Sequence, residues 1–118
     1  MSILQISATD YSISIGKLRG LQQCSSPRAT FTCLALDHRQ NLRRALNPAA
    51  PGSVSDLDLT HFKLDVTSAL AGASTAVLLD PEFSAAQAIA AGVLPGPIPF
   101  VVAVESTGYA GEPTARQS

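Results

Sequence analysis

Asp37, His38 and Arg39 stand in a row directly after an apolar run at residues 31–36. An acid, a titratable ring and a guanidinium side by side can orient a sugar hydroxyl, shuttle a proton or bind a phosphate. The arrangement recurs in part. The run at 75–79 meets Asp80-Pro81-Glu82, and the run at 100–104 meets Glu105. If the runs are strands of one parallel sheet, these groups form one wall of a site, because parallel barrels and open α/β sheets collect their polar groups at strand carboxyl ends. Asp37, His38, Arg39, Asp80 and Glu105 are therefore the candidate site residues, with Glu82 a weaker one. Plainer roles compete: Asp37 could cap the helix that follows, Arg39 could lie on the surface, and Asp80 before a proline could open a turn. Ser106, Thr107, Gly108 and Tyr109 follow Glu105 and could add hydrogen bonds.

Other reactive types offer less. Lys17 and Lys63 are the only lysines. A Schiff-base lysine must be desolvated to be neutral near neutral pH, and Lys63, beside Phe62 at the border of a helical stripe, is expected to snorkel to solvent. His61 on the same helix is expected at the surface. The carboxylates with His38 could hold a divalent cation, but no paired histidine spacing supports a metal and none is expected. Cys24 and Cys33 are too few for a disulfide framework and lack metal-site spacing. Cys33 is expected to pack as a small hydrophobe within the first strand.

The elements that would position these groups alternate. A short leading helix is expected over residues 10–22, capped by Ser12 or Ser14, with Ile15, Leu18 and Leu21 as its apolar stripe. A loop at 24–29 leads to the first strand at 31–36. One or two helical turns at 40–46 are stopped by Pro48 and the Ala49-Ala50-Pro51-Gly52 stretch. Ser55, three residues before Asp58, is a variant capping box, and Leu59, Phe62, Val66 and Leu70 then recur at helical spacing until Gly72. The second strand is expected at 75–79, an alanine-rich helix at 84–91 stopped by Gly92, and the third strand at 100–104 after Pro95, Pro97 and Pro99. Strand and helix in alternation make the fold α/β with a parallel sheet and its helices on one face. The pattern is equally the start of a barrel or of an open sheet.

Composition narrows the function classes. The chain of 118 residues is 46% hydrophobic and 14% charged, against roughly a quarter charged in an average domain, so it should bury much of its surface in itself or in a partner. Net charge is −1 and no basic run exceeds Arg43-Arg44, which argues against nucleic acid. No run reaches the roughly 18 apolar residues of a membrane span. The first residues carry Asp10 and lack a charged start with an apolar block, so no secretory signal is expected. The expected compartment is the cytoplasm.

The strings Ile15-Gly16-Lys17-Leu18-Arg19-Gly20-Leu21-Gln22-Gln23 and Leu34-Ala35-Leu36-Asp37-His38-Arg39-Gln40 resemble the opening of the tagatose-1,6-bisphosphate aldolase family. The resemblance continues through Phe62-Lys63, Leu78-Leu79-Asp80-Pro81-Glu82-Phe83 and Glu105-Ser106-Thr107-Gly108-Tyr109, in order. It implies a (β/α)8 TIM barrel that cleaves a ketose phosphate into three-carbon fragments through a lysine Schiff base, without a cofactor; related members cleave a sulfonated fructose phosphate. It further implies Asp37 and Glu105 as catalytic acids, and His38, Arg39 and Asp80 as substrate contacts. His38 stands where some members carry glutamine.

The family's Schiff-base lysine comes from a later strand and corresponds to no position here. A barrel of this kind needs roughly 250 residues. The expectation is therefore one partial domain over 1–118: a leading helix and loop at 1–29, then the first three β/α units at 30–118. As an amino-terminal piece of an aldolase it should be inactive alone. Rival readings are a non-catalytic subunit completed by a second chain or a homo-oligomer, and a small α/β module that binds a phosphorylated metabolite.

Overall fold

The computed structural model describes residues 3–5 and 12–105. Strand β1 (Ile3–Gln5) pairs antiparallel with β2 (Ser12–Ser14), which runs straight into helix α1 (Ile15–Gln23). Ser14 is the cap of α1, its hydroxyl accepting the Lys17 N–H at 3.3 Å. The leading helix thus starts several residues later than the sequence pattern indicates. An extended segment pairs ahead of it, and Ile15 and Leu21 are exposed.

The main sheet holds β3 (Cys33–Leu36), β4 (Ala76–Leu79) and β5 (Phe100–Val102), all parallel in that order. Leu36 is paired with Leu79, and Leu79 with Val102. All three strands are shorter than the apolar runs that mark them. Phe31 lies outside β3 and is 56% exposed, and Val104 lies past β5 and is exposed.

Between β3 and β4 come α2 (Gln40–Leu46), a single 3-10 turn at Pro51–Ser53 and α3 (Asp56–Leu70). The α3 start is a complete capping box: Ser55 Oγ accepts from the Asp58 N–H at 3.0 Å, and the Asp58 carboxylate accepts from the Ser55 N–H at 2.9 Å. The Ser55 backbone N–H, with the serine hydroxyl behind it, holds the Asp58 carboxyl below its ordinary pKa. Helix α4 (Ala85–Ala91) ends at Gly92, whose φ of +69° is left-handed. The Gly92 N–H reaches the Ile89 carbonyl at 3.1 Å and the Val93 N–H reaches that of Ala88 at 3.2 Å, a Schellman closure.

Side chains directly paired across a parallel sheet share a face. One row is Leu34, Leu36, Val77, Leu79 and Val102, and it meets Ala71, Ala85 and Ala88 to form the core. Helices α3 and α4 also touch one another, so they cover the same side of the sheet. The small alanines let α4 sit close. On the other side Cys33, Ala35 and Val101 are exposed, Leu78 is half-buried and Ala76, paired with Cys33, is buried. Cys33 therefore does not pack as a core hydrophobe: the strand is at the sheet's edge, and its outward residue has no layer above it.

The buried stripe of α3 is also displaced. Leu59, Lys63 and Thr67, four apart, are its enclosed residues, while Phe62 and Leu70 reach solvent. Lys63 does not snorkel. It is wholly buried, because it points at the carboxyl end of β4 and finds an anion there.

Candidate functional site

Asp37, Asp80 and Glu105 each follow a strand of the parallel sheet, so their backbones leave it in the same direction. One side chain ties the three strand ends together. Arg39 comes off the end of β3 and is only 5% exposed. Its Nη1 donates to the Glu82 carboxylate at 2.8 Å, after β4, and its Nη2 to the Glu105 carbonyl at 3.4 Å, after β5. Arg39 forms no side-chain cap on α2, and its backbone carbonyl takes the first N–H groups of that helix.

Asp80 is fully buried at the end of β4. Lys63 Nζ donates to Oδ1 from α3, and the Ser84 hydroxyl does so at 2.6 Å. The backbone N–H groups of Glu82 and Phe83 donate to Oδ2 at 3.0 and 2.6 Å. The Ser84 oxygen in turn accepts the Asp80 N–H at 3.1 Å. Every acceptor direction of this carboxylate is taken by the protein's own donors. The result is a tight turn at residues 80–84, with Glu82 projecting from its top to Arg39.

The electrostatics follow from enclosure. Burial pushes the Asp80 carboxyl up. The donors from Lys63, Ser84 and Phe83, with the Lys63 charge, outweigh that push and leave its pKa below the ordinary value. Burial pulls the Lys63 ammonium below the usual lysine range. Asp80 opposes that pull, the Arg39 charge adds to it, and Asp37 works against it. Asp37 and Arg39 are thus within electrostatic reach of the pair. The Lys63–Asp80 bridge is the inner layer of the strand-end cluster, and Arg39–Glu82 is the outer one.

The remaining candidates line the outside. Asp37 is half-buried, whereas His38 and Glu105 are exposed. Ser106, Thr107, Gly108 and Tyr109 lie outside the described residues. His61 is exposed on α3, as expected. Among the described residues no group of three or more His, Cys, Asp or Glu side chains is arranged to hold a metal ion. No helix among them is long and apolar enough to cross a membrane. A cleft of about 400 Å³ is bounded by Arg19, Gln23, Gly96, Pro97 and Pro99. It lies at the amino end of β5, away from the acids.

Lys63 and Ser84 are the members of the cluster that sequence reasoning left out. A lysine in an amphipathic helix is ordinarily solvated. The signal for the contrary was its place four residues after Leu59, on the true inward stripe. Ser84 could have been found as the acceptor closing an Asp-Pro turn.

No protein-family model matches the chain. Tagatose 1,6-diphosphate aldolases of Listeria monocytogenes and Listeria innocua are each 34% identical to it over 71 residues. That stretch is 60% of this chain and 21% of each relative, so the alignment spans about a fifth of their length. The chain is therefore similar, over that stretch, to a segment of these bacterial aldolases.

Proposed function

We propose that the chain carries the first strand-end wall of an aldolase acting on a ketose phosphate such as tagatose 1,6-bisphosphate, built on the opening β/α units of a (β/α)8 barrel. The observation that carries this reading is the gathering of three successive strand ends around Arg39, in a chain similar to tagatose 1,6-diphosphate aldolases.

In aldol cleavage the bond between the α and β carbons breaks. The β-hydroxyl proton passes to a base, and the electron pair moves toward the carbonyl carbon or its imine. Asp37, half-buried, and Glu105, exposed, are the strand-end acids not enclosed as Asp80 is, and they take the proton-handling roles. His38, exposed beside Asp37, and Arg39, whose partner Glu82 has a half-exposed side chain, meet the polar and anionic substituents. Asp80 stands behind that wall. Lys63 is enclosed by Asp80 and Lys17 lies on α1, so the imine-forming amine of this chemistry has no counterpart on these elements. The chain by itself binds the sugar phosphate without cleaving it. Such chemistry belongs to the cytoplasm.

The exposed sheet face, with Val101 46% exposed and Ala35 exposed on either side of Leu78, favours one companion reading: the chain works beside further strands, from a complementing chain or a second copy.

Titrating the isotope-labelled chain with a ketose bisphosphate tests the proposal. Resonances of Asp37, His38 and Glu105 should shift, while a coupled assay detects no triose phosphate. Shifts confined to the cleft at Arg19 and Pro97, or none, would end it, and cleavage at a normal enzymatic rate would refute the inactivity.

A further inference from the structure

Lys63 is a buried ionisable group that the reading above does not use. An ammonium removed from water is costly unless it is paired and hydrogen-bonded, and here it is spent on a carboxylate that has three other donors. Ser84 and the backbone could satisfy Asp80 as a neutral acceptor; the ammonium keeps it an anion. An anion grips the Glu82 and Phe83 N–H groups more strongly than a neutral oxygen does. Those two N–H groups set the path of the 80–84 turn. Glu82 leaves that turn for Arg39, and Arg39 reaches on to the Glu105 carbonyl. A chain of contacts therefore runs from a helix on the covered side of the sheet to the exposed strand ends.

We infer that Lys63 is a positioning residue: by holding the Asp80 carboxylate it fixes the 80–84 turn and, through Glu82 and Arg39, the relative placement of the three strand ends. The inference rests on the strand ends being the functional wall, as proposed above. Its test uses no sugar phosphate, so the two can fail separately.

The experiment compares the 118-residue chain with Lys63→Met and with the double variant Lys63→Met/Asp80→Leu, which replaces the ion pair by apolar side chains. Thermal melts report folding, amide exchange reports the turn, and the Arg39 guanidinium resonances report the outer bridge. In Lys63→Met, protection at Glu82 and Phe83 should fall about tenfold more than at Val77 and Leu79, the scale of a lost hydrogen bond to a charged group. In the double variant the melting temperature should recover toward that of the parent while the Arg39 resonances stay displaced.

Unchanged Glu82, Phe83 and Arg39 signals in the single variant overturn the inference. So does recovery of the Arg39 signals together with the melt in the double variant, since the pair then contributes stability alone. If the single variant does not fold, the double variant carries the same comparison. If neither folds, the pair serves the whole sheet and the positioning role is lost.

Discussion

Asp80 and Lys63 neutralise each other where water does not reach, and the consequence is asymmetric. Removing one member strands a buried charge, whereas replacing both with apolar groups removes the desolvation cost along with the attraction. Asp80→Leu alone should therefore destabilise the chain by about 3–5 kcal/mol, and chemical denaturation of that variant measures it. The pair also gives a pH dependence of known sign. The folded-state pKa of Asp80 is lowered, so its contribution is fully present above the unfolded carboxylate pKa of about 3.9. It is lost as pH falls through the lower folded value. Denaturant melts stepped downward from neutral pH should show stability falling on the acid side, and Asp80→Asn should flatten that limb. An unchanged acid limb in the variant would place the titration elsewhere. The sequence made Asp80 legible as a strand-end acid but hid its partner, because the spacing of Lys63 from Leu59 marks the inward stripe only once the sheet it packs on is known.

Among the elements, the local signals proved most readable. The Ser55 capping box and the Gly92 stop depend on bonds within one turn, so residue type and spacing were sufficient to find them. Ser55→Ala should cost about 1 kcal/mol of stability, read by urea denaturation. Gly92→Ala meets no atom within 4 Å of the new methyl. Its cost is therefore backbone strain alone, about 1 kcal/mol or somewhat more, and Gly92→Asn should cost less because asparagine tolerates the left-handed region. What could not be read locally was set by neighbours. The strands end where their ladder partners end, so Phe31 and Val104 fall outside despite their apolar character. The inward face of α3 is chosen by where β4 places an anion, which rotated the stripe from Phe62 to Lys63. The antiparallel pairing of Ile3–Gln5 with Ser12–Ser14 had no signal strong enough to compete with the helical pattern from Ile15.

Across the whole molecule, the sheet has a covered face and a largely bare one, where Cys33, Ala35 and Val101 are exposed. Its two outer strands, β3 and β5, have no further partner among the described residues, and open edges with apolar flanks promote association. The low charge content made an uncovered surface foreseeable; which residues form it needed the register. Sedimentation at increasing concentration should show self-association. Val101→Lys, a charge on the bare face at the outer strand β5, should shift that equilibrium toward the monomer; equal association of the variant would assign the contact to another surface. The common direction of the strand ends was legible at this scale as well, because parallel strands oblige Asp37, Asp80 and Glu105 to leave the sheet the same way.

Cys33 sits on this bare face at the rim of the sheet, with its thiol exposed, while Cys24 is half-buried. The protein thus carries a built-in chemical reporter. Alkylation at Cys33 proceeds readily on an isolated copy and slows when any layer settles over β3, so its rate relative to that of Cys24 measures how often that side of the sheet is occupied.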